Sequence, residues 1–288
     1  MAQQAPVVHF RIEGHVAIFT LDRPRQRNAV NFQVSSEFEA HLDTFESNDD
    51  LWVGIVCSSE PEKAFSAGAD LAAISRNENI ATERGGFAGL VQRKRTKPLI
   101  AAVGGPAYAG GCEIVLACDL VVATENARFG VPEVKRSLVA AAGGLFRLPA
   151  VLPRNIAMEL ILTGNTISAK QAHAYGMVNR LVPSGDPSAL MAAALQLASE
   201  ITCNAPLAVQ ESKMLVDELQ SSLEPEEAIQ QCYGVRLIFT GIAFALHHCP
   251  QVLFQFRQLS DLLKPLTFAK DLRHFLKSEN RSGLAKGP

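Results

Sequence analysis

Two glutamates in this sequence stand where a carboxyl group could move protons. Glu113 follows Gly110-Gly111 at the start of a run of good helix formers, and Glu133 follows Gly130-Val-Pro132. A glutamate in the first turn of a helix is often only a complement to the helix dipole, and a loop glutamate is often a solvated surface group. Two carboxylates that reach one water molecule can instead act as general acid and base, each role being worth roughly 10²–10⁴-fold in rate. Spacing alone leaves both interpretations open.

Two loops of small residues could supply backbone hydrogen-bond donors beside these carboxylates. Gly110-Gly111 precedes the predicted helix, whose first amides have no intrahelical acceptor, and Ser66-Ala-Gly-Ala69 follows a predicted strand and could expose the amide of Ala69. Two amides that converge on one point form an oxyanion hole, in which each donor is worth about 2.7–4 kcal/mol. The alternative is that the glycines only turn the chain.

The elements that must position these residues alternate between strand and helix. The patterns predict strands at residues 7–12, 15–21, 51–57, 99–103 and 119–123, and helices at 32–45, 112–118, 156–163 and 168–175. A weaker helical stretch carries the basic cluster at 93–97 and stops before Pro98. From residue 186 onward the pattern is mainly helical. We therefore expect an α/β core over residues 1–185, followed by a helical region over 186–288.

Bulk composition excludes several classes of protein. The chain has 288 residues, 48% apolar and 19% charged, and a net charge of −2, so no global charge favours nucleic acid or an anionic membrane. The basic cluster at 93–97 has no interleaved aromatic residues, which favours a solvated helix end over a nucleic-acid site. The apolar stretch at 237–246 is too short to span a bilayer, so we expect it to form core or interface.

Cysteine spacing and the N-terminus bear on metal binding and location. The six cysteines form no Cys-x-x-Cys pair and lack a complementary histidine, so we expect reduced thiols and no metal site. The first residues lack both a basic region leading into an apolar segment and an Arg-rich transit pattern. The prediction is a cytoplasmic protein, with an organellar matrix as the alternative.

Several segments, in order, resemble the signature segments of the enoyl-CoA hydratase/isomerase (crotonase) superfamily. They are residues 16–24 with 27–29, Ala64-Phe-Ser-Ala-Gly-Ala-Asp70, 97–103, Gly110-Gly-Cys-Glu-Ile114, 118–119, 127–130, Pro132-Glu133, 143–144, 147–148, 162–164, 169–172 and 175–178. The resemblance covers roughly residues 8–185. It implies the crotonase fold, a spiral of repeated ββα units with a helical C-terminal part that covers the acyl pocket and makes oligomer contacts.

The resemblance also implies roles for particular residues. The amides of Ala69 and Gly110 would polarise a thioester carbonyl, Glu113 would activate water as the base, and Glu133 would supply the α-proton. The implied enzyme is a lyase that reversibly hydrates a 2-enoyl-CoA to a 3-hydroxyacyl-CoA. Coenzyme A is then part of the substrate and no separate cofactor is expected.

For the coenzyme A portion, the resemblance suggests Arg25, Lys63 and Ala67 as binding positions. The two cations could equally be solvated surface groups. The family resemblance further implies a homotrimer or a dimer of trimers.

The sequence departs from the family pattern in three places, which keeps more than one function open. Ala109 replaces the first of three consecutive glycines, and Ser137-Leu-Val-Ala140 replaces Gly-(Ile/Leu)-x-Pro. Beyond about residue 230 the usual family ending is not recognisable. The second departure is similar to a carnitinyl-CoA dehydratase subgroup that acts on unusual acyl groups.

A Δ3,Δ2-enoyl-CoA isomerase, which needs only Glu133, is also compatible with the sequence, as is a non-catalytic acyl-CoA-binding protein. The intact glutamate pair argues against the binding protein. Acyl-chain length, stereochemistry and the direction of the reaction stay open.

Overall fold

A computed structural model describes residues 5–222 of the chain. The strands are β1 Val8–Glu13, β2 Val16–Leu21, β3 Val53–Ser58, β4 Ala81–Thr82, β5 Gly86–Phe87, β6 Leu99–Val103, β7 Pro106–Tyr108, β8 Leu120–Thr124, β9 Arg128–Gly130, β10 Ile167–Ser168 and β11 Arg180–Val182. The helices are α1 Phe32–Ser47, α2 Leu71–Ser75, α3 Gly110–Ala117, α4 Gly144–Val151, α5 Arg154–Thr163, α6 Ala169–Ala174, α7 Pro187–Thr202 and α8 Pro206–Ser222. Two 3-10 helices span Pro24–Gln26 and Pro132–Arg136.

The described residues fall into two compact units, divided between Cys203 and Asn204. The first holds strands β1 to β11 and the helices through α7; α8 begins the second. The predicted division at residue 185, and the roles expected for residues 186–288, stay predictions. The apolar stretch predicted at 237–246 lies outside the described residues.

A six-stranded sheet with the order β1-β2-β3-β6-β8-β11 forms the centre of the first unit. β1 pairs antiparallel with β2, and the other neighbours are parallel. β3 and β6 are buried along their whole length, as expected for parallel strands covered on both faces. On one face α7 buries Leu190, Ala194 and Ala198, which recur every four residues, against the sheet. On the other face, α1 packs its apolar stripe against β1 and β2.

A second, three-stranded sheet with the order β10-β9-β7 positions the candidate site. β7 pairs parallel with β9, so that Tyr108 lies opposite Gly130. A parallel bridge between Ser66 and Ala107 adds a third segment on the other side of β7. Parallel segments end at the same edge, so the loop after Ser66, the start of α3 and the 3-10 helix after β9 all leave this sheet together.

The predicted strands and helices outside the basic cluster are confirmed, with bounds that differ by at most two residues. The helical stretch predicted around residues 93–97 is wrong, since the chain there is irregular and forms neither a helix nor a strand. Arg95 Nη2 donates to Ala117 O at 2.6 Å, and Lys97 Nζ donates to Phe45 O and Asn48 O at 2.7 Å each. These cations therefore bind carbonyls at the C-terminal ends of α3 and α1 rather than forming a solvated helix end.

Candidate active site

Three chain segments meet at the carboxyl-terminal edge of the small sheet. The bond from Ala109 N to Gly130 O, at 2.9 Å, continues the β7-β9 ladder to the first residue before α3. The bond from Tyr108 N to Ser66 O, at 3.0 Å, ties the other neighbour to β7. The predicted oxyanion loops and both glutamates thus start from one hydrogen-bonded edge, which the sequence spacing alone could not establish.

The backbone groups on either side of the Ala69 amide are already hydrogen-bonded to Val30. Val30 N donates to Gly68 O at 2.8 Å and Asp70 N donates to Val30 O at 2.9 Å, which is the bond pattern of a single parallel bridge. Such a bridge leaves the N–H of the central residue unpaired. Within residues 5–222 no carbonyl or side chain accepts a hydrogen bond from Ala69 N.

The amide of Gly110 is free for a different reason. Gly110 is the first residue of α3, and the first i to i−4 bond of this helix runs from Glu113 N to Ala109 O at 3.1 Å. The N–H groups before that bond have no intrahelical acceptor. Gly110 N therefore points a donor out of the helix start, where the positive end of the helix dipole favours a negative oxygen.

The two loops that carry these amides are in direct contact. A Cβ placed on Gly68, whose φ is +89°, would lie 2.8 Å from Gly110 N. A Cβ on Gly111 would lie 2.2 Å from Ser66 O. The glycines are thus needed because the backbones approach more closely than any side chain would permit. This contact brings the loop that carries Ala69 against the start of α3, and an oxyanion hole formed by the Ala69 and Gly110 amides stays a prediction.

Ala109 occupies a backbone conformation that normally belongs to glycine. Its φ of 53° and ψ of −129° lie outside the regions open to residues with a Cβ. The replacement of the family glycine by alanine therefore stores local strain at the residue that precedes the helix. The bonds from Ala109 N to Gly130 O and from Glu113 N to Ala109 O hold it in place.

The Glu113 carboxylate is buried and has protein partners. The residue is 3% exposed, and its Oε1 accepts a hydrogen bond from Gly144 N at 2.9 Å. Burial raises the pKa of Glu113 above its usual value, while the amides of Gly144 and Ala142 and the charge of Arg147 oppose that rise. The site thus compensates part of the cost of keeping this group ionised.

The Glu133 carboxylate is partly buried and lacks comparable partners. Its Oε2 is buried, and among the described residues no group forms a hydrogen bond with it. The pKa of Glu133 is raised to about 7, mainly by burial and also by the nearby charge of Glu113, while a hydrogen bond from its own backbone amide opposes the rise. The two carboxylates therefore interact, and Glu133 holds a proton more tightly than an ordinary glutamate.

The predicted coenzyme A positions lie near the oxyanion loop without forming one cluster of contacts. Arg25 is exposed on the Pro24–Gln26 helix, and Ala67 N donates to Arg27 O at 2.9 Å, which joins that turn to the loop. Lys63 is exposed and pairs with Glu60 at 3.3 Å. An exposed pair of this kind contributes little to stability and leaves the lysine accessible. Their binding roles stay predictions.

Sequence reasoning assigned no role to three residues that shape the site. Gly144 supplies the amide to Glu113, and Arg147 lies close enough to influence its charge. Asn28 is 2% exposed, and its Nδ2 donates to Phe65 O at 3.0 Å, while Ser66 Oγ donates to Asn28 O at 2.8 Å. All three fall inside the signature segments, but their roles depend on contacts between distant parts of the chain.

Across the part of the chain that the structure describes, no group of three or more His, Cys, Asp or Glu side chains is placed to hold a metal ion. The cysteines in that part, Cys57, Cys112, Cys118 and Cys203, are free thiols. No described helix has both the length and the apolar character needed to cross a bilayer.

Comparison with known proteins gives one consistent family. The family model for enoyl-CoA hydratase/isomerase matches residues 11–241. A carnitinyl-CoA dehydratase from Citrobacter koseri is 39% identical over 249 residues, covering 85% of this chain and 90% of the relative. Among solved structures, an enoyl-CoA hydratase from Mycobacterium tuberculosis is 42% identical, with a TM-score of 0.76 and coverage of 82% and 91% of the two chains. A carnitinyl-CoA dehydratase from Mycobacterium avium is 41% identical, with a TM-score of 0.72 and coverage of 84% and 93%.

The chain belongs to the enoyl-CoA hydratase/isomerase family and has the crotonase fold. It is an enzyme of the hydro-lyase class. Membership of this family is consistent with an acyl-CoA thioester substrate. The resemblance inferred from the signature segments is thereby confirmed.

Proposed function

We propose that this enzyme reversibly adds water to a 2-enoyl-CoA, using Glu113 and Glu133 as a water-activating pair. The observation that carries the proposal is the buried Glu133 Oε2, which has no protein partner among the described residues and lies in the electrostatic range of Glu113. A buried carboxylate oxygen without a partner is costly unless the substrate side supplies one. Both groups leave the same sheet edge as the Ala69 and Gly110 amides.

The first element of the proposed mechanism is the thioester carbonyl. Its oxygen would accept hydrogen bonds from Ala69 N and Gly110 N, which draws electrons away from the double bond and makes the β-carbon electrophilic. As water adds to that carbon, negative charge develops on the same oxygen. The two donors are fixed before the reaction begins, so they stabilise this enolate-like charge without reorganising.

The second element is the proton transfer by the two carboxylates. Ionised Glu113 would take a proton from water while the new carbon–oxygen bond forms, and protonated Glu133 would give its proton to the α-carbon. The raised pKa of Glu133 supports this division, because about half of that group carries a proton near neutral pH. Dehydration is the reverse reaction, with Glu133 as base and Glu113 as acid. Both directions need one proton on the pair.

Separate Glu113→Gln and Glu133→Gln variants test this proposal. Each should lower the hydration rate of a short-chain 2-enoyl-CoA by roughly 10²–10⁴-fold, because each loses one proton-transfer role while keeping the side-chain shape. Glu125→Gln is the control, since Glu125 lies on the surface in an exposed pair with Lys170. Product mass and far-ultraviolet circular dichroism should be recorded together. Near-normal turnover in either catalytic variant would contradict the assignment.

A second candidate is dehydration of a carnitinyl-CoA, a 3-hydroxyacyl-CoA whose acyl group carries a quaternary ammonium. Two observations favour it: relatives with 38–39% identity bear the name carnitinyl-CoA dehydratase, and Ser137-Leu-Val-Ala140 departs from the common family loop. The chemistry would use the same glutamate pair in reverse. Comparing kcat/KM for carnitinyl-CoA with that for the matching 3-hydroxyacyl-CoA without the ammonium group distinguishes the substrates.

An isomerase and a non-catalytic binding protein would give different results in the same assays. A Δ3,Δ2-enoyl-CoA isomerase would convert a 3-enoyl-CoA and keep that activity in Glu113→Gln. A non-catalytic protein would bind acyl-CoA without turnover in the wild type.

Assembly as a homotrimer or dimer of trimers and a cytoplasmic location complete the proposal. Light scattering coupled to size exclusion tests the assembly, and imaging of the tagged protein in its native cell tests the location.

A further inference from the structure

Arg147 joins two chain segments beside the buried Glu113. It lies on α4, and its Nη2 donates to Val91 O at 2.7 Å while its Nη1 donates to Ala142 O at 3.3 Å. Its guanidinium also lies over the Phe146 ring, with Cζ 4.8 Å from the ring centre. One side chain thus holds the segment that ends the β4-β5 region against the loop that precedes α4.

The loop held by Arg147 supplies the hydrogen bond to Glu113. Gly144 N, one turn before Arg147 on the same helix, donates to Glu113 Oε1 at 2.9 Å. Between Ala142 and Gly144, Gly143 has a φ of +110°, and a Cβ at that position would lie 2.1 Å from Arg147 Nη1. A Cβ at residue 143 would therefore displace the guanidinium from the loop, and it would also strain the backbone at this φ.

We propose that Arg147 is a positioning residue for Glu113: by bridging Val91 O and Ala142 O it fixes the loop whose Gly144 amide orients the carboxylate, and it places a permanent positive charge beside that carboxylate. This inference rests on the proposed role of Glu113 as the base. Arg147 acts through Glu113 and not on the reacting atoms themselves.

The charged and titratable groups around Glu113 limit what else could control its ionisation. Arg147 is the charged residue of α4, Glu133 lies on the neighbouring 3-10 helix, and Tyr108 lies on β7, which packs against α3. Burial raises the pKa of the Cys112 thiol on α3 to about 12, so this group is neutral under assay conditions. The Arg147 charge lowers the pKa of Glu113, whereas Glu133 contributes a charge of the opposite sign.

The experiment measures kcat/KM against pH for the wild type, Arg147→Gln and Arg147→Lys with one short-chain 2-enoyl-CoA. In Arg147→Gln the acid limb, which reports protonation of the base, should move up by about one pH unit, because a nearby cation lowers a carboxyl pKa by about 1–3 units. On the acid limb itself, at a pH below the wild-type midpoint, kcat/KM should fall by about tenfold relative to the wild type, as a one-unit shift requires. Arg147→Lys keeps the positive charge, so its acid limb should lie close to that of the wild type.

Two additional variants separate this role from a purely structural one. Gly143→Ala should move the acid limb in the same direction as Arg147→Gln, because the new Cβ displaces the guanidinium and strains the loop before Gly144. This variant also serves if Arg147→Gln does not fold. In a Glu113→Gln background, Arg147→Gln should lower the residual rate by less than about threefold, since residues that act together are not additive. A uniform loss of rate at every pH, with an unmoved acid limb, would overturn the inference.

The Arg147 result is separable from the proposed function. Near-normal turnover in Glu113→Gln would refute the glutamate mechanism itself. An inactive Glu113→Gln together with an unmoved limb in Arg147→Gln and Gly143→Ala would refute only the role of Arg147.

Discussion

The region around Glu113 and the region around Glu133 differ in how many protein groups meet the carboxylate. Glu113 stands on a regular helix, accepts a hydrogen bond from Gly144 N and lies near the Arg147 charge. Glu133 stands on a short 3-10 helix, and within residues 5–222 its buried Oε2 has no partner. The protein stabilises one ionised carboxylate and leaves the other to hold a proton.

This difference supports the proposed division of roles without reference to the substrate. Two identical carboxylates at one edge would compete for a single proton, and nothing would determine which one carried it. Here burial acts on both groups, while compensation acts mainly on Glu113. With a pKa raised to about 7, Glu133 is about half protonated at neutral pH, whereas Glu113 is the carboxyl group whose ionised form a backbone amide stabilises.

Among changes to the backbone, the largest expected effect comes from disturbing the amides on the Glu113 side. Gly68→Ala should lower kcat/KM by roughly 10²–10³-fold, because its Cβ would lie 2.8 Å from Gly110 N and displace an oxyanion donor. Gly176→Ala is a matched control, since Gly176 has a similar φ of +91° but nothing within 4 Å of the added Cβ. Equal losses of activity in the two variants would show that backbone strain, and not the donor geometry, is responsible.

The pH dependence of the wild type should report the Glu133 side directly. With a pKa of about 7, Glu133 loses its proton as the pH rises, so kcat/KM should fall about tenfold per unit above that point. The Cys112 and Cys118 thiols, whose pKa values burial raises to about 12, titrate too high to produce this limb. The residual activity of Glu133→Gln should lack the limb. A rate that stays constant up to about pH 9 would contradict the assignment of Glu133 as acid.

Stability should change with pH in a way that separates the two glutamates. Because the folded pKa of Glu133 is raised, its contribution to stability is present below pH 4.5 and is lost as the pH rises through about 7. Glu133→Gln should therefore be more stable than the wild type at about pH 8, by about 1–2 kcal/mol after allowing for partial solvent screening. Glu113→Gln should gain less, because its amide partners already offset part of the burial. Urea unfolding at pH 4.5 and at about pH 8 measures both, and an equal or larger gain in Glu113→Gln would reverse the comparison.

The smallest effect concerns the strained residue at the start of α3. Ala109→Gly should stabilise the protein by about 1 kcal/mol, because glycine adopts the observed φ and ψ without a Cβ clash. Activity should stay within about twofold, since the hydrogen bonds around the residue are made by its backbone. Ala192→Gly, in the exposed interior of α7, should instead lose about 1 kcal/mol. If Ala109→Gly does not raise the free energy of unfolding, the backbone around residue 109 relieves the strain in another way.

Periodicity and composition were sufficient for the longer elements but not for the site. α1 and α7 have buried stripes of helical period, and β3 is a continuous apolar run that is buried along its whole length; both patterns can be recognised from sequence. β7 and β9 have three residues each, too few for a period, yet their pairing brings Glu113 and Glu133 to one edge. Only the resemblance to the family signature segments predicted that these two glutamates act together.

Contacts between distant parts of the chain explain what the sequence could not predict. The cluster at 93–97 has the composition of a helix end, but Arg95 and Lys97 are drawn to carbonyls at the ends of α3 and α1. Likewise, nothing in the local sequence around Arg147 indicates that Val91 O is its acceptor. Both cases depend on where remote carbonyl groups lie after folding.

The division of roles between the two glutamates is tested most directly by titrating the carboxyl groups themselves. Infrared difference spectroscopy of the carboxylic-acid band, recorded for the wild type, Glu113→Gln and Glu133→Gln, assigns each titration to its residue. We expect Glu133 to titrate near pH 7 and Glu113 to titrate below it. A Glu133 titration near the ordinary value of 4.5, or a Glu113 titration above that of Glu133, would contradict this division.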